Sequence, residues 1–305
     1  MSIVGIIANP AAGKDIRRLV ALGRFVSDHE KVNVIKRVLT GLKAVGVERV
    51  LMMPDWSSLG RVAAEGISQP EIIILEMPVH NEGNDSTRAA ELMVEMGVDC
   101  LVTLGGDGTS RAVSKSSGDV PMVAVSTGTN NVFPDMVEGT VAGMAAGVVA
   151  NNLVDLHTAT SVVNRLEIET QCSGKDIALV DVAVSRERFT GARAIWNPET
   201  LYEIFLVSTD QASIGLSAIG ARLRNKLDDE NSGMRIILGT ESAPVIAPIA
   251  PGMVVNVPIS NSYTMRPNEA IKIGHAPCTI ALDGERTLSL SNGETAEITL
   301  TNKGP

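Results

Sequence analysis

The chain has 305 residues, of which 44% are hydrophobic, enough for one large domain or two smaller ones with a substantial core. Its formal net charge of −9 and its lack of a long basic stretch argue against a nucleic-acid partner. The first residues show no leader pattern, and no run approaches the roughly 18 apolar residues of a membrane span, so we expect no membrane partner and a cytoplasmic protein.

The cysteines and histidines are spaced without a pattern that predicts disulfide or metal chemistry. Cys100, Cys172 and Cys278 lie far apart and are odd in number, which indicates a reducing compartment rather than a disulfide framework. Cys100 lies inside an apolar strand pattern, where we expect it to pack. The histidines lack metal-ligand spacing, so we predict no metal site of that kind.

Strand-like apolar runs alternate with helical patterns through the first part of the chain. The predicted strands cover residues 3–8, 49–53, 71–75, 98–104 and 122–125, and the predicted helices cover residues 31–45, 58–65, 84–96 and 109–116. This alternation predicts an α/β domain with a Rossmann-like parallel sheet covered on both faces. Because ligands bind at the carboxyl ends of the strands in such sheets, the turns that follow the strands are the candidate site.

A turn dense in glycine follows the fourth predicted strand. It reads Gly105-Gly106-Asp107-Gly108-Thr109 and is called the Gly-rich turn below. Glycine lets a ligand approach bare backbone, and the free N–H groups of the helix that follows attract phosphate. A carboxylate there makes sense if it holds Mg²⁺ or takes a proton from a hydroxyl nucleophile, so Asp107 is the candidate catalytic residue of a phosphoryl-transfer enzyme. The alternative is a tight turn whose aspartate caps the helix.

Two better-known phosphate-binding motifs are excluded. A Walker A loop around Gly13-Lys14 has Ala8 where the first glycine belongs and Asp15 where the hydroxyl belongs. A dinucleotide-binding Gly-x-Gly-x-x-Gly motif would need glycine at Arg111.

Two further turns follow strands of the same predicted sheet. Residues 9–14, the Asn9 turn, bring Asn9 and a lysine able to reach phosphate, although a simple surface loop fits the spacing equally well. Residues 126–131, the polar loop, offer hydroxyls and amides that suit a ribose or an adenine, or that serve only as a polar connection. The candidate binding residues of the polar loop are Thr127, Gly128, Asn130 and Asn131.

The second half of the chain changes to short runs rich in valine and isoleucine. These runs cover residues 162–169, 177–184, 202–207, 254–257, 270–273, 278–282 and 297–300. They predict a mainly β domain. We place the domains at residues 1–135 and 136–305, with an alternative in which the C-terminal segment returns to the first domain.

Three stretches of the second half stand out. Asp181 is a single carboxylate in an apolar strand, which indicates either a bound partner or a solvent-facing position. Residues 208–218 are small and hydroxyl-rich, as in a loop that enters a helix packed on a ligand or on another backbone. Asp283-Gly284 is first of all a hairpin turn.

These landmarks, in this order, resemble the NAD kinase/diacylglycerol kinase superfamily. The Gly-rich turn matches the superfamily's signature motif, and Leu179-Val180-Asp181-Val182 is similar to the Asn-Glu/Asp strand of NAD kinases. Residues 208–218, residues 247–251 with Arg266-Pro267, and residues 282–285 are similar to further NAD kinase segments, whereas Asn9-Pro10 and residues 128–131 are similar to the lipid-kinase branch. Together with residues 192–196, this mixture most resembles the ATP-NAD kinase-like proteins that include acetoin catabolism protein X.

The resemblance implies an N-terminal α/β domain, a C-terminal β-sandwich domain and an NAD kinase-like reaction. ATP and Mg²⁺ are the implied cofactors, and NAD is the implied acceptor, phosphorylated at the 2′-hydroxyl of its adenosine ribose to give NADP. Asp107 is implied as the base or orienter of that hydroxyl. Likeness to the family also implies a homo-oligomer. The other implied contacts are those to the phosphates, from Gly105, Gly106, Gly108 and Thr109, and those to the dinucleotide, from Asn130, Asp181, Thr209 and Ser213.

Departures from the family pattern keep two other functions open. Val180 replaces the Asn of the Asn-Glu/Asp pair, and Asp210-Gln211-Ala212 replaces Pro-Thr-Gly in the Ser/Thr-rich segment. The phosphate-binding half is therefore closer to the family pattern than the acceptor half, and ATP and polyphosphate both stay open as donors. One alternative is a lipid or other small-alcohol kinase of the diacylglycerol kinase branch. The other is a non-catalytic nucleotide-binding accessory protein of acetoin catabolism.

Overall fold

The computed structural model describes residues 1–305 except residues 15–16, 129, 172–173, 188–193, 210–211, 224–230 and 240–243. Thr129, Cys172, residues 192–193 and residues 210–211, all named above, therefore lie outside the described residues. Within the described ranges, no helix is both long enough and apolar enough to cross a lipid bilayer.

The chain divides into two compact units. The first comprises Met1–Lys14, Phe25–Val162 and Pro305, and the second comprises Asp15–Arg24 and Val163–Gly304. The division thus falls after Val162 rather than after residue 135, because the helix Gly139–Ala150 packs into the core of the first unit.

A five-stranded parallel sheet organises the first unit. Its strands are β1 (Ile3–Ala8), β2 (Arg49–Met52), β3 (Glu71–Ile74), β4 (Cys100–Gly105) and β5 (Met122–Ser126). Their spatial order is β3-β2-β1-β4-β5, and every neighbouring pair is parallel. The order reverses between β1 and β4, and in open α/β sheets the crevice outside the carboxyl ends at this switch point binds ligands. The predicted parallel α/β domain is confirmed.

Helices cover both faces of this sheet. They are α2 (Asp28–Ala44), α3 (Leu59–Ala64), α4 (Gly83–Glu95), α5 (Asp107–Ser114) and α6 (Gly139–Ala150). The chain also contains α1 (Arg17–Val20) of the second unit and α7 (Leu156–Ala159), whose residues are exposed. Buried residues of α2, α3 and α6 form one core with β1, β2 and β4, and α4 packs in a second core on the other face. Cys100 packs in the first core, as predicted, and burial raises the pKa of its thiol to about 12.

Glycine permits the close crossing of α2 and α6. A Cβ at Gly41 would lie 2.2 Å from the carbonyl oxygen of Thr140, and a Cβ at Gly143 would lie 2.1 Å from that of Val38. The two helix backbones are therefore in direct contact, which fixes α6 on the first unit.

The second unit is built from antiparallel sheets. Its strands are β6 (Arg165–Thr170), β7 (Gly174–Ala178), β8 (Asp181–Ser185), β9 (Leu201–Leu206), β10 (Gly233–Leu238), β11 (Val245–Ala250), β12 (Met253–Val257), β13 (Ile259–Met265), β14 (Ala270–Ile273), β15 (Cys278–Leu282), β16 (Glu285–Leu290) and β17 (Ala296–Thr301). Six strands form the sheet β13-β10-β9-β8-β15-β16, four form β14-β17-β6-β7, and β11 pairs with β12. The C-terminal strand β17 and the residues through Gly304 stay with this unit.

Two hydrophobic cores hold these sheets together. The first contains side chains from both the six-stranded and the four-stranded sheet, so these sheets face each other as a sandwich. The second lies on the opposite face of the six-stranded sheet, where α8 (Ser217–Leu223) and the β11–β12 pair cover it. The expected β-rich C-terminal region is confirmed.

Candidate functional site

The Gly-rich turn joins β4 to α5 at the carboxyl edge of the parallel sheet. β4 ends at Gly105, Gly106 is the N-cap residue, and α5 begins at Asp107 rather than at Thr109 as predicted. The earlier start places Asp107, Gly108 and Thr109 together in the first helical turn. The N–H groups of Asp107 and Gly108 precede the first hydrogen bond of the helix, which the Thr109 N–H donates to the Gly106 carbonyl at 3.0 Å. N–H groups at a helix start attract anions, so this end of α5 is a candidate phosphate site.

Neighbouring side chains leave no room for a Cβ atom at Gly105 and Gly106 of this turn, or at Gly128 of the polar loop. A Cβ at Gly105 would lie 2.3 Å from Thr109 Cβ, and a Cβ at Gly106 would lie 2.7 Å from Asn131 Oδ1. Gly128 contacts the same amide, because a Cβ there would lie 2.5 Å from Asn131 Oδ1. The bare backbone of these glycines therefore receives the side chains of Thr109 and Asn131.

Asp107 connects the Gly-rich turn to the segment that follows the polar loop. Its carboxylate accepts hydrogen bonds from the backbone N–H groups of Val132, at 3.0 Å, and Phe133, at 2.8 Å. The side chain is buried, with only 8% of the residue exposed. The Asp107 carboxylate thus fixes the segment after the polar loop, and the sequence did not predict this contact.

The polar loop is tied to β4 and to its own strand. Asn131 Nδ2 donates to Ser126 Oγ at 2.8 Å, and the Thr127 N–H donates to the Gly105 carbonyl at 2.8 Å. The Thr127 hydroxyl is buried and has no hydrogen-bond partner among the described residues. A buried hydroxyl of this kind can bind a polar ligand group.

Asn9 connects the Asn9 turn to the Gly-rich turn. Its Nδ2 donates to Thr109 Oγ1 at 2.9 Å, and its Oδ1 accepts from the Ala11 N–H at 2.8 Å. Its own N–H donates to the Leu104 carbonyl at 2.9 Å. The turns after β1, β4 and β5 are therefore joined by hydrogen bonds at the switch point of the sheet.

Lys31, which the sequence analysis missed, lies beneath the Asn9 turn. It is fully buried near the start of α2, and its Nζ donates to the carbonyl oxygens of Asn9, Pro10 and Ala12 at 3.3, 2.8 and 3.0 Å. Burial lowers the pKa of Lys31 to about 8. One signal could have found it, since residue 31 continues the apolar stripe of this helix, where a lysine needs a buried partner.

Lys14, which was expected to reach phosphate, is paired with a carboxylate. Its Nζ lies 2.9 Å from Asp28 Oδ1, and Ser57 Oγ donates to Asp28 Oδ2 at 3.1 Å. Burial raises the pKa of Asp28, but the hydrogen bonds from Lys14 and Ser57 outweigh it and leave the pKa below its usual value. Asp28 therefore stays charged and holds Lys14 at the end of the Asn9 turn.

Hydrogen bonds join the segments that contain Asp181 and Asp283 in the second unit. Asp283 and Gly284 have positive φ values of 51° and 72° in the β15–β16 hairpin, which confirms the predicted turn. Asp283 Oδ1 also accepts from the N–H groups of Leu179 and Val180, and Gly284 N–H donates to Asp181 Oδ1 at 3.2 Å. Asp181 is only 5% exposed, so the solvent-facing alternative is wrong.

The other predicted contact residues are half-buried. Gly108 and Asn130 are half-buried beside the network of the first unit. Thr209 and Ser213 are half-buried in the segment between β9 and α8 of the second unit. No group of three or more histidine, cysteine, aspartate or glutamate side chains in the described part of the chain could hold a metal ion.

Comparison with known proteins assigns the family. Residues 4–153 match the ATP-NAD kinase N-terminal domain, and residues 164–303 match the acetoin catabolism protein X C-terminal domain. Acetoin catabolism protein X of Cupriavidus necator is 37% identical over 313 residues, which cover 98% of this chain and 87% of the relative. The chain belongs to the acetoin catabolism protein X family.

The fold of this family member is shared with a solved NADH kinase. The crystal structure of yeast NADH kinase complexed with NADH superposes with a TM-score of 0.51 at 17% identity, covering 100% of this chain and 82% of that chain. The resemblance to the NAD kinase/diacylglycerol kinase superfamily is thus confirmed for the family and the fold.

Proposed function

We propose that this acetoin catabolism protein X family member is a phosphotransferase that moves the terminal phosphate of ATP to the 2′-hydroxyl of the adenosine ribose of NAD. One observation carries the proposal: hydrogen bonds join the turns after β1, β4 and β5 around Asp107 at the switch point of the sheet. The match of residues 4–153 to the ATP-NAD kinase N-terminal domain and the fold shared with an NADH kinase complexed with NADH support the choice of ligand.

The Gly-rich turn would bind the phosphates. The first-turn N–H groups of α5 supply donors without added charge, and Thr109 is held in place by Asn9. Preorganised donors of this kind stabilise the negative charge that spreads over a transferring phosphoryl group. The buried Thr127 hydroxyl adds a donor in the polar loop, where we place the ribose or the adenine.

Asp107 would orient the attacking hydroxyl and hold Mg²⁺. Mg²⁺ is usually bound by one or two carboxylates together with waters and substrate phosphates, so a single carboxylate at a phosphate site fits it without a cage of protein ligands. When bound, the ion would neutralise phosphate charge during transfer. The N–H groups of Val132 and Phe133 keep the Asp107 carboxylate in one orientation.

Three residues of the second unit stay proposed contacts to the dinucleotide. Asp181, held by Gly284, and the half-buried Thr209 and Ser213 are the proposed residues. The cytoplasm stays the proposed location. The expected homo-oligomer stays a prediction that sedimentation equilibrium can test.

A coupled assay for NADP tests the proposal. We expect NADP formation from NAD and MgATP by the wild type, and a fall of at least about a hundredfold in Asp107→Asn, because the variant loses a charge at the reacting hydroxyl. Asp99→Asn is the matched control, since Asp99 accepts a hydrogen bond from the Ile3 N–H at the opposite end of β4. No NADP from the folded wild type, or equal loss in both variants, contradicts the proposal.

Nucleotide binding without catalysis is the second candidate function. It is favoured by the commitment of both Asp107 carboxylate oxygens to backbone N–H groups, which is a structural use of this side chain. Tight MgATP binding with no turnover of NAD, unchanged in Asp107→Asn, would select this accessory role. A parallel assay with diacylglycerol as acceptor would reveal the lipid-kinase alternative.

A further inference from the structure

The Asn9 turn is shaped by an ammonium group that it encloses. Lys31 Nζ donates to three carbonyl oxygens of this turn, those of Asn9, Pro10 and Ala12, all within 3.3 Å. An ammonium group has three protons and no acceptor, so three carbonyl oxygens satisfy it completely. The deprotonated amine has only two protons and can donate to only two of the three carbonyl oxygens.

The three bonds set the orientation of the peptide groups in the turn. A trans peptide is planar, with its N–H opposite its carbonyl, so the N–H groups of Ala11 and Gly13 point away from Lys31. The Ala11 N–H binds Asn9 Oδ1 at 2.8 Å, which fixes the Asn9 amide. The other end of that amide, Nδ2, donates to Thr109 Oγ1 at 2.9 Å. Lys31 is therefore linked to the Gly-rich turn through a single fixed side chain.

We propose that Lys31 is a positioning residue, whose ammonium group holds the Asn9 turn in the shape in which Asn9 anchors Thr109 and the carbonyl oxygens face away from the nucleotide phosphates. Carbonyl oxygens that turned toward a phosphate would repel it, whereas the same oxygens facing Lys31 are neutralised. The effect on the turn stands on the geometry alone, and the effect on nucleotide binding rests on the proposed function.

Among the described residues, three charged groups surround Lys31. Asp28 of α2 lies 3.8 Å from its Nζ, Lys14 belongs to the Asn9 turn, and Asp55 follows β2. Burial is the largest influence and lowers the pKa of Lys31, Lys14 also lowers it, and the two aspartates raise it, so that the pKa is about 8. The ammonium form is therefore lost as the pH rises through about 8, and the turn should loosen over that range.

Amide hydrogen exchange of residues 9–14 tests the effect on the turn. Lys31→Met removes the donors while keeping an unbranched side chain, and Lys31→Arg keeps donors that stay protonated at every accessible pH. Lys14→Met is the matched control, because it removes a lysine that pairs with Asp28 and is 37% exposed. Protection factors are compared between pH 7 and pH 9.5, after normalisation to the intrinsic exchange rate.

We expect wild type to lose protection of the Asn9 turn as the pH rises through about 8, and Lys14→Met to lose it at a higher pH, because Lys14 lowers the pKa of Lys31. Lys31→Met should be about tenfold less protected than wild type already at pH 7, because three carbonyl oxygens lose their donor. Lys31→Arg should show no loss over this range. The proposal is overturned if Lys31→Met keeps the protection of the wild type, or if the protection of the wild type does not change with pH. Both outcomes can be observed even if Lys31→Arg does not fold.

Calorimetric titration with MgATP tests the effect on the nucleotide. Lys31→Met should weaken MgATP binding by about tenfold at pH 7, and Lys14→Met by less than about threefold. Loss of turn protection with unchanged MgATP affinity would limit Lys31 to a structural role and contradict its positioning role. A wild type that binds no MgATP would refute the proposed function, whereas the exchange experiment would still decide the effect of Lys31 on the turn.

Discussion

A fully buried carboxylate in the second unit depends on one arginine. Glu203 lies in β9, and Arg235 of β10 donates from Nε to its Oε2 at 2.7 Å, with Nη2 at the same distance. His275 Nε2 lies 3.5 Å from the other carboxylate oxygen. Removing one partner of a buried ion pair costs far more than the pair itself contributes, because the remaining charge is left uncompensated.

We therefore expect Arg235→Met to lower the free energy of unfolding by about 3 kcal/mol, measured by urea denaturation. Lys272→Met is the matched control, because Lys272 forms an exposed pair with Glu297 at 3.6 Å, and its loss should change stability by less than about 1 kcal/mol. A change in Arg235→Met no larger than that of the control would show that Glu203 does not need this partner.

Individual site residues differ in how far the sequence predicts them. Asp107 was found because three glycines around a carboxylate are costly in a regular element. The sequence did not predict the partners of the Asp107 carboxylate, because Val132 and Phe133 reach it through a loop whose path no local pattern encodes. Lys31 and the second role of Asp283 were missed for the same reason, because both side chains bind the backbone of segments that are distant in sequence.

Among the elements, the crossing of α2 and α6 makes the sharpest stability prediction. A Cβ at Gly143 would meet the backbone oxygen of Val38 at 2.1 Å, so the helices would have to move apart. We expect Gly143→Ala to lower the free energy of unfolding by about 2 kcal/mol, because overpacking outweighs the gain in helix propensity. Gly83→Ala, at the open start of α4, is the control and should be neutral or slightly stabilising. A neutral Gly143→Ala would contradict the close crossing.

The elements of the first unit follow the sequence closely, and those of the second unit do so only in part. Buried parallel strands and amphipathic helices carry clear periodic signals, so the predicted strand at residues 3–8 and the predicted helix at residues 84–96 differ little from the observed β1 and α4. The predicted strand at residues 177–184 instead divides into β7 and β8, because Asp283 Oδ1 binds the backbone N–H groups of Leu179 and Val180 between them.

Several strands of the second unit were not predicted at all. They are β10, β11 and β13. β11 contains a proline, which argues against a strand in a sequence, and β13 carries polar and exposed residues at its centre, so neither shows the expected alternation. β10 and β13 pair with each other although β11 and β12 lie between them in the chain, so their conformation depends on a partner that local sequence does not identify. β11 instead pairs with the adjacent β12 in a hairpin.

At the scale of the whole molecule, the candidate contacts divide between the two units. The hydrogen-bonded network of Asn9, Thr109, Asp107 and Asn131 belongs to the first unit, and the pair of Asp181 and Asp283 belongs to the second. The family match divides in the same way, with the ATP-NAD kinase domain over residues 4–153 and the acetoin catabolism protein X domain over residues 164–303. Phosphate binding is therefore the function expected of the first unit.

The most direct measurement follows the terminal phosphate of isotopically labelled ATP. Purified full-length protein is incubated with Mg²⁺, labelled ATP and NAD, and the dinucleotide product is identified by mass spectrometry and by its use in an NADP-specific dehydrogenase reaction. Label recovered in NADP, in proportion to the enzyme present, is the predicted result. A folded protein that binds MgATP but leaves NAD unlabelled would contradict phosphate transfer to NAD.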